Sequence, residues 1–282
     1  MLLPFLLGMT VLVVLPAAGS LAVAFFDYSP FQPTTFPWIG LGQFAELWKD
    51  SLFWTALTNS LIYTAGSVPL RLFGALALAL LLERRRRGIG FYRAAVYLPT
   101  IIPDVAYALV WLWIFNPLFG PINAVLRTLH LPIQTWLITT EGARAVVILM
   151  AAWQVGEGFV LMLAALRDIP PELYDAALVD GAGAWARFRT VVMPLIAPTF
   201  LLLAFRDTIL SLQDSFAPAL LVTKGGPHYA TLFLPLKIYF DAFQNFRFGY
   251  GAAMIWVLYG VTTVIVMAQY LTTRRWSEAA FD

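Results

Sequence analysis

Met150, Trp153, Gln154 and Glu157 follow the i, i+3, i+4, i+7 spacing that places side chains on one helix face, and Asp207, Ser211 and Asp214 repeat that pattern further along. Both sets stand inside long apolar runs. An ionisable group in such a run is costly enough to call for a function, such as contact with a passing solute or ion, or else for a partner. Trp153 lies 14 residues before Arg167 and Asp207 lies 13 after Pro194, so both sit about 20 Å from the segment between those runs. Two polar faces at matching depth on consecutive helices predict a lined cavity. An internal network, for example Glu157 with Arg206, accounts for the same residues, and both readings stand. Arg71 and Asp104 share a depth of about 17 Å in two other runs. They are expected to pair, because an isolated charge in lipid costs more than a buried ion pair.

Other chemistry is poorly supplied. Cysteine is absent, which removes disulfides, thiolate metal sites and thiol nucleophiles. The two histidines, His130 and His228, stand far apart in apparent loops, an arrangement unsuited to metal ligation or proton relay. No Gly-x4-Gly-Lys-Ser/Thr phosphate loop occurs, and convergent catalytic groups are not apparent. A net charge of +2, with the bases gathered at the ends of apolar runs, argues against nucleic acid as a partner.

The elements that position the polar faces follow from composition. The chain is 60% apolar and 12% charged, against about 25% charged residues in a soluble domain. Such a chain belongs in a bilayer, where runs of about 20 apolar residues close their own backbone hydrogen bonds as helices. The sequence predicts an all-α integral membrane protein with six spans, at about 2–25, 54–82, 92–115, 143–166, 195–216 and 250–271. The first run continues past Ala17, Ala18 and Gly19 without a basic lead, so it reads as a span and not a secretory signal.

Ten bases, Arg84 to Arg87, Arg93, Arg167, Arg187, Arg189, Arg274 and Arg275, fall on one side of these spans. Six, Lys49, Arg127, Arg144, Lys224, Lys237 and Arg247, fall on the other over longer connections. The bias predicts a multi-pass protein of the plasma (inner) membrane with both termini cytoplasmic. Residues 1–282 read as a single transmembrane domain with its core at about 51–271.

The inner connection at 167–194 is long enough to need a purpose. Pro170 and Pro171 suit a helix start, Glu172 and Asp175 suit its first turns, and Gly181 and Gly183 interrupt it before 185–192 resumes. The prediction is helix, bend, helix. Within it stand Asp175-Ala176-Ala177, Gly181 after three residues, Val191 after nine more, then Met193-Pro194.

This pattern resembles the cytoplasmic signature of permease subunits of binding-protein-dependent ABC importers: Glu-Ala-Ala, three residues, Gly, nine residues, Ile, one residue, Leu-Pro. Four positions are identical and three, Asp175, Val191 and Met193, are conservative replacements. Ile169-Pro170-Pro171-Glu172-Leu173-Tyr174 and Asp180-Gly181-Ala182 look like the carbohydrate-uptake version, of the maltose and glycerol-phosphate type. The resemblance runs on through Gly40 to Phe44, Phe53 to Asn59, Gly225-Gly226-Pro227 and Phe248 to Met254. The first span, with Pro4 and Pro16, resembles the subunit type that pairs with a different permease. Family members usually open with a basic lead, and Met1-Leu2-Leu3-Pro4 has none, so a start further upstream is expected.

The resemblance implies a non-enzymatic permease subunit for import of a sugar or sugar-like solute. It implies as partners a second permease, two ABC ATPase subunits and an extracytoplasmic solute-binding protein. No cofactor is expected in this chain, with ATP and Mg on the partner ATPase. Asp175, Ala176, Ala177, Gly181, Val191, Met193 and Pro194 would form the coupling loop, with Ala176, Ala177 and Gly181 in closest contact. Helices beside that loop line the solute path in the family, so Trp153, Gln154, Glu157, Asp207 and Ser211 are the expected solute contacts. An ion-coupled secondary transporter using Asp104, Glu157 and Asp207 is the alternative, although it has no use for the loop signature.

Overall fold

A computed structural model describes residues 2–28, 30–31, 36–84 and 86–278, with the side chains of 274–278 excepted. Arg85 and the side chains of Arg274 and Arg275, which entered the charge bias, lie outside the described residues. The architecture is all-helical, as expected. Four helical segments are long and apolar enough to cross a membrane: Leu3–Val23, Ser51–Leu82, Ala184–Thr223 and Phe248–Thr273. Two more spans are bent pairs, Ile89–Thr100 with Asp104–Ile114 at 98° and Thr140–Trp153 with Gly156–Arg167 at 42°. Counting each pair once restores the six spans.

The bends correct the expectation of straight third and fourth spans. In the third, Pro99 opens a 3₁₀ turn at Leu98–Thr100 and Pro103 caps the helix that follows, since proline removes a backbone donor and disfavours helical geometry before it. In the fourth, Gln154 leaves helical geometry at ψ 54°. The two bends touch: a Cβ on Gly156 would stand 2.9 Å from the Cα of Tyr97 and 2.9 Å from Thr100 Oγ1. Only the missing side chain lets these backbones approach.

The fifth span departs from expectation in length. It begins at Ala184, inside the predicted loop, and runs 40 residues to Thr223. A π-helical turn at Phe188–Val192 precedes Pro194, and another at Thr10–Val14 precedes Pro16. The wider i to i+5 turn accommodates the hydrogen bond that proline cannot make, so the helix continues.

The second span is the central element, packed along both the fourth and the fifth. Small residues bring it close. A Cβ on Gly66 would stand 2.9 Å from Ile148 Cδ1, and one on Gly158 3.3 Å from Ala75 Cβ. In lipid, where burying apolar surface gives little drive, such close packing is a main source of helix association. Phe53, Tyr63, Phe233 and Tyr250 build an apolar cluster toward one end. Leu76, Phe159, Met162 and Leu203 build another toward the arginine-rich end. No residue of Leu3–Val23 is buried, and the first span touches the bundle through its second half, which packs on the sixth span.

Candidate functional site

Between the two apolar clusters lies a polar cavity of about 90 Å³. Its wall is formed by Tyr63 and Arg71 of the second span, Asp104 and Tyr107 of the third, Met150, Ala151 and Gln154 of the fourth, and Leu210, Ser211, Asp214 and Pro218 of the fifth. Four spans therefore converge on it. Ser211 is held by Ser67, oxygen to oxygen 3.3 Å, and the Tyr107 hydroxyl donates to the Met150 carbonyl at 2.7 Å. Phe233 packs on Tyr63 with ring centroids 4.8 Å apart.

Of the five expected solute contacts, Gln154 and Ser211 line this cavity. Glu157 and Asp207 do not. Glu157 pairs with Arg206, whose other amino group is 3.3 Å from Asp207 Oδ1, so the network reading describes these two. Trp153 is 59% exposed and stands apart from both sets. The face expected from the i, i+3, i+4, i+7 pattern is lost because the helix breaks at Gln154, which rotates Glu157 away from Gln154.

Arg71 and Asp104 correct a second expectation. They face one cavity but form no ion pair with each other, nor with any other of the described residues. Equal depth brings the two together only where the third span is straight. Instead, Asp104 opens a new helix behind Pro103, where the positive helix end favours an acid without Arg71. Tyr63, Ser67 and Arg71 stand at i, i+4, i+8 on the second span, so the sequence held a signal for a third polar face.

The opposite end carries a network that the sequence did not reveal. Lys237, counted above as an outer-loop base, is buried between Asp50 at 2.8 Å and Asp241 at 2.9 Å. The Tyr250 hydroxyl donates to Asp50 at 2.7 Å. The loop between the fifth and sixth spans folds inward beside it. Asn59 Nδ2 donates to the Tyr229 carbonyl at 2.7 Å, Arg144 Nε to the Ala230 carbonyl at 3.1 Å, and the Leu234 amide to Ser60 Oγ at 2.8 Å. Irregular backbone at this depth survives only with such partners.

At the arginine-rich end, the loop signature divides in two. Pro171–Val179 is a helix with Asp175 and Ala176 exposed and Ala177 half-buried. It ends in a Schellman motif: the Ala182 amide donates to the Ala177 carbonyl at 2.9 Å, and the Gly181 amide to the Leu178 carbonyl at 3.0 Å. Gly181 has φ +75°, which explains glycine there. Val191, Met193 and Pro194 belong instead to the root of the fifth span, and Val191 and Met193 pack on its apolar cluster. Behind the Pro171–Val179 helix is a cleft of about 740 Å³. There burial, and next the Glu83 carboxylate, push the Tyr174 hydroxyl above its ordinary range, while Arg187 pulls it down.

A bundle of membrane helices around a small polar cavity, with an exposed helix and glycine stop at one end, defines a solute-translocating subunit. The chain belongs to the family described as the binding-protein-dependent transport system inner membrane component, whose model matches residues 71–278. It is a membrane permease, and in this family ATP hydrolysis belongs to a separate subunit. It is 34% identical over 278 residues to a probable ABC transporter permease, YesP, of Bacillus subtilis, covering 97% of this chain and 89% of that protein. It is 30% identical over 277 residues to AmyD of Thermoanaerobacterium thermosulfurigenes, a probable permease of a transport system for starch degradation products, covering 96% and 92%. Among solved structures, a bacterial alginate ABC transporter in complex with an alginate pentasaccharide-bound periplasmic protein contains a similar chain. The TM-score is 0.85 at 26% identity, over 98% of this chain and 93% of that one. The ion-coupled alternative falls with this membership.

Proposed function

We infer that this chain is one permease of an importer for a sugar or sugar-like solute. The observation that carries the reading is the helix that runs without a break from Ala184 to Gln213, before a turn at Asp214 and Ser215. One end of it leaves the exposed loop beside Gly181, and Ser211 on it, with Asp214 just beyond, lines the cavity about 40 Å away. A displacement of the loop therefore moves the cavity wall directly. Gln154 and Ser211, together with Arg71, Asp104 and Asp214, present donors and acceptors to solute hydroxyls. Two relatives support the solute class, since their names give starch degradation products and alginate.

In this reading residues 1–282 form a single permease domain that pairs with a second, different permease. Two ABC ATPase subunits, carrying ATP and Mg, seat the 167–194 loop through Asp175, Ala176, Ala177 and Gly181. A solute-binding protein docks at the opposite end. The excess of arginine between the second and third spans puts that loop and both termini in the cytoplasm.

The test is affinity purification of the tagged chain in mild detergent, with mass spectrometry of its companions, for wild type and Gly181→Asp. Recovery of an ABC ATPase and a second permease with wild type, and loss of the ATPase with the variant, is the expected result. A chain that comes out alone overturns the reading.

A further inference from the structure

We propose that the cleft behind the Pro171–Val179 helix binds the phosphate headgroup of an anionic phospholipid from the adjoining leaflet. Arg84, Arg167 and Arg187 line it, and among the described residues none of the three side chains forms an ion pair or hydrogen bond. Arg187 Nε is moreover a buried donor without an acceptor. Against these three charges the cleft holds one acid, Glu83. Three unneutralised guanidiniums around a space of about 740 Å³ leave a positive field that an anion relieves.

The rest of the lining gives the anion an apolar body. Leu80, Phe188 and Val192 line the same space. From Arg84 outward, the second span carries Leu81, Phe73 and Leu70 on one exposed face, Leu81 at 73%, as a track for an acyl chain. A basic pocket between membrane helices at the interface, continuous with lipid-facing apolar surface, matches an anionic lipid on both counts. The ATPase needs a different surface. Asp175, Ala176 and Val179 are exposed and do not line the cleft, with Val179 88% exposed, whereas Pro171 and Tyr174 line it. A lipid seated there would brace the Pro171–Val179 helix against the second and fourth spans. The inference takes from the proposed function only that the chain spans a bilayer, and its readout is independent of ATPase recovery.

The full chain, purified in mild detergent, is incubated with phosphatidylglycerol or phosphatidylcholine, and retained lipid is counted by native mass spectrometry. Wild type is expected to retain phosphatidylglycerol selectively. Arg84→Gln and Arg187→Gln should each weaken retention about fivefold, the equivalent of about 1 kcal/mol per basic residue at a membrane surface. Glu83→Gln should strengthen it, which separates the site from loss of fold. Arg86→Gln with Arg87→Gln removes two charges, twice that of either single variant, from the same loop outside the cleft and should leave retention unchanged. Equal retention of the two lipids, or equal loss from the Arg86 and Arg87 changes, overturns the proposal. So does displacement of the lipid by millimolar inorganic phosphate, which would make this a free-anion site. Loss of the ATPase from the Arg84 and Arg187 variants, with no lipid on wild type, would make it an ATPase contact.

Discussion

Glu157 and Asp207, on consecutive spans, are held by the same guanidinium, that of Arg206. The two acids are not equivalent. Asp207 is 5% exposed, whereas the Glu157 side chain is 50% exposed. Removing Arg206 takes from the buried Asp207 carboxylate its ion-pair partner and leaves only the charge of Arg71 to offset burial, which should cost more than removing a half-exposed partner, about 1 kcal/mol or less. Arg206→Met should lower the melting temperature in detergent well below that of Glu157→Gln. Adding Asp207→Asn should restore part of the loss, and no restoration would mean that Arg206 acts through packing alone.

Gly181 and Gly183 stand two residues apart and should respond differently. A Cβ on either meets nothing within 4 Å, but Gly181 has φ +75° and Gly183 is extended at φ −67°, ψ 171°. Gly181→Ala should cost about 1 kcal/mol at the helix stop and reduce ATPase recovery. Gly181→Asn, which tolerates the left-handed region, should retain more, and Gly183→Ala should resemble wild type. Equal effects at the two positions would show that side-chain volume at the docking surface matters instead of backbone geometry.

The contact between the two bends predicts an asymmetry between neighbouring glycines. Gly156→Ala would drive a methyl to 2.9 Å from the Tyr97 backbone, which cannot rotate aside, and should destabilise by about 1 to 3 kcal/mol. Gly158→Ala approaches side chains alone, the methyl of Ala75 at 3.3 Å and Leu203 Cδ1 at 3.9 Å, and should cost less. Thermal unfolding of the two variants measures the difference.

The buried Lys237 predicts a pH effect. Burial pulls the Asp50 carboxyl upward, but hydrogen bonds from Lys237 and Tyr250, the Lys237 charge and the Leu52 amide together hold it below its ordinary 3.8. A carboxyl lowered by folding contributes stability that is complete above its unfolded value and lost as pH falls through the folded one. Wild type should therefore melt at nearly constant temperature from about pH 7 to pH 5 as far as Asp50 is concerned. Lys237→Met removes the Lys237 hydrogen bond and charge that oppose burial, so the carboxyl rises and the melting temperature should increase as pH falls across that window. A flat profile for the variant would remove Lys237 as the group that keeps Asp50 ionised.

The number of spans, the arginine-rich end, and the helix with its glycine stop were legible in the sequence, because each depends on residues close together in the chain. Apolar runs must become helices in lipid, and Gly181 after an alanine-rich turn terminates one whatever surrounds it. Gln154 and Ser211 were legible as cavity residues for the same local reason. What tertiary structure decided was direction. Pro103 and the break at Gln154 turned two spans by 98° and 42°, moving Asp104 out of register with Arg71 and Glu157 off the face of Gln154. Whether a membrane charge meets a solute, an ion pair or a lipid depends on where the neighbouring helix places its own groups. Helical periodicity gives the face within one segment, but the angle between segments is set by packing, as where Gly156 meets Tyr97.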